Sequence, residues 1–187
     1  MKSLLFLTVS LCSLASAWPF ARRAKMAPPK PGTQLYQLQT TSASAALTNQ
    51  WVALPSGTTS YTLASAQTAA SKFFVTKYDP TGTWSLHAAE DDTRQIALRG
   101  TDSVLLYAVD LTTSTNFTIP GGVLIEWGTF TMDNNVVGVN DGSALKNRTF
   151  VAVQGTGSTY NIALYDGVSN TTQSITPLTL NFVRVPT

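Results

Sequence analysis

His87 is the only histidine in the 187-residue chain, so a serine–histidine–aspartate relay or a histidine-based zinc site would have to use it. Such a relay often places its serine in a Gly-x-Ser-x-Gly turn, and the sequence contains no such motif. A zinc site needs three or four ligands, and the single cysteine, Cys12, lies near the N-terminus. Because His87 alternates with apolar neighbours, we predict that it is an ordinary strand histidine. Since too few ligands are present, we also predict no metal, and we predict no cofactor.

Carboxylates are the remaining groups that could do chemistry, since glycosidases use a pair of them across a cleft. Glu90-Asp91-Asp92 is typical of a solvated acidic turn, and Asp166 before Gly167 is typical of a turn residue. Glu126 stands between Ile125 and Trp127 in an apolar run. Strand alternation places it on the face opposite to both, where it is either a catalytic acid in a cleft or a side chain that simply faces water. We favour the interpretation that Glu126 faces water, and we assign no catalytic residue.

Two other groups of residues suggest binding. Asp133-Asn134-Asn135 and Asn140-Asp141-Gly142 offer oxygen ligands, but neither fits a twelve-residue calcium loop, and tight turns are the simpler interpretation. The tryptophans of the body either belong to the core or form a face on which sugars stack. Trp51, beside a loop-like stretch, is the candidate for carbohydrate binding.

The elements that must position these residues are predicted to be strands. Short runs of β-branched and aromatic residues recur from Leu35 to Val185, with Gly, Asp, Asn or Pro between most of them. Only the stretch from Ala64 to Lys72 could form two helical turns. Regular short strands predict an all-β, single-domain antiparallel β-sandwich or closed barrel without disulfides. The hairpins at Phe74-Val75 and Phe150-Val151 echo each other, which suggests two similar halves.

The first residues predict export. A positive charge, the apolar run 4–11 and the small residues Ala15-Ser16-Ala17 have the order of a secretory signal, which we place at 1–17. Residues 18–33 form a basic, Pro-rich segment, either a disordered arm or a propeptide cut at Arg22-Arg23. The β-domain then spans 34–187. Because Cys12 lies in the signal, the mature domain has no cysteine.

Glycosylation sequons and charge agree with an extracellular domain. Three Asn-x-Thr sequons, at Asn116, Asn147 and Asn170, predict N-linked glycans on the surface. The C-terminus shows no lipid-anchor signal. The chain has a formal charge of +2, but without the leader and the arm seven basic residues face all ten acidic residues, leaving −3. We therefore predict no nucleic-acid partner and no membrane anchor.

One segment resembles a known family. Residues 150–164, followed by Gly167-Val168-Ser169-Asn170 and the run 180–185, resemble the C-terminal part of fungal secreted cell-wall proteins of the phialide-development type. Glu126-Trp127 before a glycine-bearing strand pair is also similar. The resemblance covers about the last third of the chain. It implies a secreted wall glycoprotein without known catalytic residues.

These observations favour a secreted, N-glycosylated, non-enzymatic β-protein of the cell wall or extracellular space, with a structural or interaction role. Its partner would be a wall polysaccharide or an extracellular protein. The alternatives are a lectin-like carbohydrate-binding module, a carboxylate glycosidase, or an effector or inhibitor directed at a host.

Overall fold

The structure, a computed structural model, describes residues 28–113, 118–145 and 147–186. The predicted signal 1–17, the pair Arg22-Arg23 and the sequon Asn116 lie outside these ranges.

Within the described ranges the chain forms strands and two short 3₁₀ turns, Ala45–Leu47 and Gln67–Ala69. The strands, in chain order, are β1 (Tyr36–Thr41), β2 (Trp51–Ala53), β3 (Thr62–Ala64), β4 (Phe73–Tyr78), β5 (Thr83–Ala88), β6 (Asp91–Gly100), β7 (Leu105–Thr112), β8 (Leu124–Trp127), β9 (Phe130–Asp133), β10 (Val136–Val139), β11 (Thr149–Gln154), β12 (Tyr160–Tyr165), β13 (Ile175–Pro177) and β14 (Thr179–Arg184). The all-β class is therefore confirmed, and of the two predicted architectures the closed barrel is the one formed.

Ten of the described strands close into an antiparallel ring. The order around the ring is β12, β3, β2, β1, β14, β10, β9, β5, β6 and β7, and β7 pairs back onto β12. The first and last of the described strands are neighbours, with Tyr36 opposite Arg184 and Thr41 opposite Thr179. A closed ring leaves no open sheet edge among its own members, which limits edge-to-edge association.

Four described strands lie outside this path, and β4 divides the ring. β4 pairs with β5 along its length and with β1 at Tyr36 and Phe73. It therefore connects two strands from opposite sides of the ring. β8 pairs with β6, while β11 pairs with both β12 and β13.

The core explains why β11 is apolar without alternation. Phe150 and Ala152 pack into the main cluster, which also contains Leu38, Leu98 and Phe182. Val151 and Val153 point the other way and pack with Leu105 and Ala163 in a second cluster. A strand that is covered on both faces is expected to be apolar at every position.

Several sequence predictions need correction at the level of elements. The stretch from Ala64 to Lys72 holds only the single 3₁₀ turn Gln67–Ala69 instead of two helical turns. Strands β2, β9 and β13, of three or four residues each, were not predicted. The echoing segments are two antiparallel hairpins, β4–β5 and β11–β12, and their common origin stays a prediction. In the described part of the chain, no helix has the length and apolar character needed to span a bilayer.

Candidate functional site

Arg148 and two carboxylates from separate parts of the chain meet beside strand β8. Glu126 lies in β8, which pairs with β6 so that Glu126 stands opposite Leu98. Asp141 follows β10, in a loop held by a 2.7 Å hydrogen bond from the Asn140 N–H to the Thr129 carbonyl. Arg148 directly precedes β11. Pairing between distant strands therefore brings Glu126, Asp141 and Arg148 together, and no local sequence motif predicts this cluster.

The guanidinium of Arg148 binds both acids. Its Nη2 donates to Glu126 Oε1 at 3.3 Å and its Nη1 to Glu126 Oε2 at 3.4 Å, while Nη1 also pairs with Asp141 Oδ2. The Arg148 side chain is 8% exposed and that of Glu126 is 23% exposed. The expectation that Glu126 simply faces water is therefore wrong. Strand alternation correctly separates it from its neighbours, but Arg148 covers that face.

The environment moves the pKa values of the two carboxyl groups in opposite directions. Burial raises the pKa of Glu126 above its usual value, outweighing the hydrogen bonds and the charge of Arg148. At Asp141 burial also acts to raise the pKa, but a hydrogen bond from the Ser143 N–H and the charge of Arg148 lower it overall. Asp141 is thus held more firmly as a carboxylate than Glu126.

A groove of about 310 Å³ opens beside this cluster and is lined by Ile125, Glu126, Trp127, Thr129 and Asp141. We call it the Trp127 groove. Trp127 is 37% exposed. The Oγ1 of Thr129 is buried and has no hydrogen-bond partner among the described residues. The groove is therefore lined by one partly exposed aromatic residue and two acidic residues, while the Thr129 hydroxyl lies beneath the surface.

The exposure expected of Trp51 is not found. Its side chain is only 8% exposed, and β2 is buried along its length. Trp51 pairs with Gln39 of β1 and Ala64 of β3, so neighbouring strands lie on both sides of it. A buried indole offers no face to a sugar. The sequence around Trp51 resembles a loop, but Trp51–Ala53 forms the three-residue strand β2.

His87 is a strand residue, as predicted. Its ring stacks on Phe74 with centroids 5.0 Å apart. Nδ1 lies 2.8 Å from the Asp92 carbonyl oxygen, so Nδ1 carries the proton and Nε2 accepts from the Thr76 hydroxyl at 2.9 Å. Burial lowers the pKa of His87 despite the hydrogen bond to Asp92. Both ring nitrogens are occupied by structural partners.

The remaining acidic motifs are structural. Asn134 and Asn135 both have positive φ, which confirms the tight turn between β9 and β10. Asp166 caps its turn by accepting from the Val168 and Ser169 N–H groups at 3.0 Å. The solvated turn predicted at Glu90-Asp91-Asp92 needs correction at Asp91, which is 3% exposed and begins β6.

No metal site is found in the part of the chain that the structure describes, because no group of three or more metal-ligating side chains occurs there. Glu90, Arg94 and Asp110 instead form a chain of ion pairs, at 3.3 Å and 2.9 Å. Glu90 and Arg94 line a second cavity of about 490 Å³. Burial, aided by the negative charge of Asp110, raises the pKa of Tyr61 at the same place.

Two of the three sequons lie in described loops near each other. Asn147 precedes β11 and Asn170 follows β12, and these strands pair with Thr149 opposite Tyr165. Both asparagines are exposed. Asn170 also lines a groove of about 650 Å³ together with Arg99, Asp102 and Tyr107. Glycans at the two sites would leave from the same end of the β11–β12 hairpin.

Gly167 fixes the spacing of these two loops and provides a test of their packing. It has a φ of +81°, and an added Cβ would lie 2.7 Å from the carbonyl carbon of Asn147 and nearer still to its oxygen. We expect Gly167→Ala to lower the free energy of unfolding by about 1–3 kcal/mol more than Gly157→Ala, because of this clash. Gly157 also has positive φ, but a Cβ there meets nothing within 4 Å. Urea unfolding of both variants measures the difference, and equal losses would contradict the packing.

Comparison of the chain with protein-family models, with curated proteins and with solved structures gives no match. The resemblance to wall proteins of the phialide-development type therefore stays a prediction. Sequence reasoning missed Arg148, although one signal was present. It is one of only seven basic residues in a domain with ten acidic ones, so a charge partner was to be expected.

Proposed function

We propose that the chain is a secreted, N-glycosylated β-protein of the cell wall or extracellular space, and that it acts by binding. The observation that carries the proposal is the exposure of Asn147 and Asn170 in neighbouring loops. A glycosyltransferase needs its acceptor asparagine accessible on the surface, and both described sequons meet this requirement. The leader pattern at 1–17 and the lack of any cysteine after Cys12 are consistent with such a protein.

Binding is better supported than carboxylate catalysis. A general acid must hold a proton and transfer it to the leaving group. Burial raises the pKa of Glu126, but both of its oxygens contact the Arg148 guanidinium, so a proton transfer to a leaving group would first have to break this ion pair. Asp141, the nearby second acid, is bound to the same guanidinium. Two carboxylates that share one buried cation are typical of a structural ion-pair cluster.

Export of the full chain in a eukaryotic secretory host tests the proposal. We expect the protein in the culture medium, with a mass that falls when N-glycans are removed enzymatically. Asn147→Gln and Asn170→Gln should each reduce this loss of mass by the mass of one glycan. Asn140→Gln is the matched control, because Asn140 is an exposed loop asparagine outside any sequon, and it should leave the shift unchanged. Protein retained in the cell, without any shift, would refute the proposal.

A further inference from the structure

A groove of about 650 Å³ has a glycosylation sequon in its wall. Asn170, the acceptor residue of the sequon Asn170-Thr171-Thr172, lines this groove together with Arg99, Asp102 and Tyr107. We call it the Asn170 groove. Its volume lies within the range of about 300–1,000 Å³ found for pockets that hold small organic ligands. A glycan on Asn170 would therefore begin at the wall of a groove that has room for a sugar ring.

The floor of the Asn170 groove is a single face of the sheet. Tyr107 of β7 stands opposite Arg99 of β6, so strand pairing puts both side chains on the same face. Leu105 and Val109, two residues before and two residues after Tyr107, share that face. They belong to the two smaller apolar clusters, and Tyr107 packs against both. The alternate residues of β7 belong to the main core, so Tyr107 and Arg99 lie outside the ring and can contact one ligand together.

The loop that carries Asn170 is held in place by hydrogen bonds. Asp166 accepts from the N–H groups of Val168 and Ser169, each at 3.0 Å. The hydroxyl of Tyr165, the last residue of β12, donates to the Ser169 carbonyl. The residue before Asn170 is thus anchored to the barrel. Because the attachment point is fixed beside the groove, a sugar on Asn170 loses less conformational entropy when it docks.

Polar groups of the Asn170 groove have hydrogen-bonding capacity left for a sugar. The guanidinium of Arg99 is exposed and has no ion-pair or hydrogen-bond partner within the described ranges. The Tyr107 hydroxyl also has no partner there, and burial, with the negative charge of Asp102, raises its pKa and keeps it a donor. Asp102 uses one carboxylate oxygen on the Val104 N–H, at 3.0 Å. Since Arg99 and Asp102 have opposite charges, the groove suits a neutral sugar.

Tethering favours the protein's own glycan over a free saccharide as the occupant. A ligand joined to its site by a short flexible linker has an effective concentration on the order of millimolar. A sugar on Asn170 is such a ligand, because its attachment residue is part of the groove wall. Weak contacts are therefore enough to keep it docked, and a free saccharide would have to displace it.

We propose that the first N-acetylglucosamine of the Asn170 glycan docks in the Asn170 groove, with its ring against Tyr107 and its polar groups bound to Arg99 and Asp102. This inference rests on the proposed function, because it requires a glycan on Asn170, and it deepens that function by giving the glycan a binding site on the barrel. The docked sugar covers apolar surface at Tyr107 and so stabilises the fold. Asn147 is not among the residues that line the groove, so its glycan lacks this contact.

Thermal unfolding of the secreted, glycosylated full-length protein tests the inference. We expect Asn170→Gln to lower the midpoint by about 2–4 °C more than Asn147→Gln, the shift that about 1 kcal/mol produces in a chain of this length. Asn147→Gln is the matched control, because it removes a glycan from the neighbouring loop. Trimming both glycans enzymatically to a single N-acetylglucosamine should preserve the difference, since the first sugar makes the contact.

The sequon allows the glycan to be separated from the asparagine side chain. Thr172→Ala abolishes the sequon but keeps Asn170, and it should lower the midpoint as much as Asn170→Gln does. Thr172→Ser keeps the sequon, and its midpoint should equal that of the parent protein. A loss with Asn170→Gln that Thr172→Ala does not reproduce would assign the effect to the asparagine itself and overturn the inference.

A double-mutant cycle identifies the aromatic contact. In a Tyr107→Leu background, Asn170→Gln should cost no more than Asn147→Gln, because the ring under the sugar is gone. Tyr78→Leu removes an aromatic side chain that is 57% exposed on β4, and it should leave the full difference. A difference that persists in Tyr107→Leu would contradict the docking.

Mass measurement on the same samples separates the two proposals. Equal midpoints of Asn170→Gln and Asn147→Gln, with both glycans present in the parent protein, would overturn the docking and leave the proposed function standing. Exported protein with a glycan on Asn147 but none on Asn170 would do the same. Protein that is neither exported nor glycosylated would refute the proposed function, and the docking with it.

Discussion

Replacing Arg148 with methionine should destabilise the protein by about 3 kcal/mol at neutral pH, as measured by urea unfolding. Methionine keeps much of the apolar stem but leaves Glu126 and Asp141 as partly buried carboxylates without their common cation. Removal of one partner of a buried ion pair typically costs about 3–5 kcal/mol. We expect the lower end of that range, because Glu126 keeps 23% of its side-chain surface exposed.

The pH dependence distinguishes a charge effect from a packing effect. Burial already raises the pKa of Glu126, and loss of Arg148 should raise it further. A raised folded-state pKa means that the folded protein takes up the proton more readily, so acidification relieves the unpaired charge. The parent protein, in contrast, loses the contribution of Asp141 as the pH falls through its lowered pKa. The stability gap should therefore shrink from about pH 7 to about pH 4 as Glu126 takes up its proton in the variant, and shrink further below about pH 4 as the parent protein loses the contribution of Asp141.

Lys77→Met is the matched control for this prediction. Lys77 also pairs with a carboxylate, that of Asp79, at 3.7 Å, but the two side chains are 51% and 86% exposed. Exposed pairs contribute only about 0–1 kcal/mol, so this variant should change little. If Arg148→Met and Lys77→Met cost the same, or if the cost of Arg148→Met is independent of pH, the account of the cluster is wrong.

Phe73→Ala should be as damaging, at roughly 3–5 kcal/mol, because it removes a phenyl ring from the place where β4 joins two sides of the barrel. Phe73 is 1% exposed, stands opposite Tyr36 of β1 and Ala88 of β5, and lies 5.8 Å from the ring of Tyr61. The cavity left behind cannot collapse easily, since strands hold it on both sides.

Two variants bracket this result. Phe73→Leu retains most of the volume and should lose less than about 1.5 kcal/mol. Tyr78→Ala, at the exposed end of the same strand, should change stability by no more than about 0.5 kcal/mol. Thermal and urea unfolding both report these differences. Equal losses at Phe73 and Tyr78 would contradict the burial of the Phe73 side chain between β1 and β5.

The fold was predictable where local patterns match the structure. The β-branched and aromatic residues of 73–78 and the valines of 136–139 form β4 and β10, and Asp79-Pro80-Thr81-Gly82, whose Pro and Gly favour a turn, forms one, with Gly82 at φ +69°. β2 was missed because Trp51–Ala53 is apolar throughout, without alternation, and stands beside a loop-like stretch. Closure of the ring depends on pairings between distant segments, such as β7 with β12, which no local pattern encodes.

The site was less predictable for the same reason. Strand alternation correctly put Glu126 and Trp127 on opposite faces, but only the tertiary structure places Arg148 against one of them and a groove beside both. Trp51 and Trp127 could not be ranked by exposure from sequence. A loop-like neighbourhood suggested Trp51, whereas edge position in the sheet exposes Trp127.

The pairing of β1 with β14 has a consequence for how the molecule is made. These strands come from the two ends of the domain, and the amide of Asn181 donates to the Gln39 carbonyl across 142 residues of sequence. Contacts of such long sequence separation slow folding, because loop entropy is lost before they form. During synthesis β1 cannot pair with β14 until residues 179–184 have been made. Because β14 is the last of the ten ring strands in chain order, the barrel cannot close before β14 has left the ribosome.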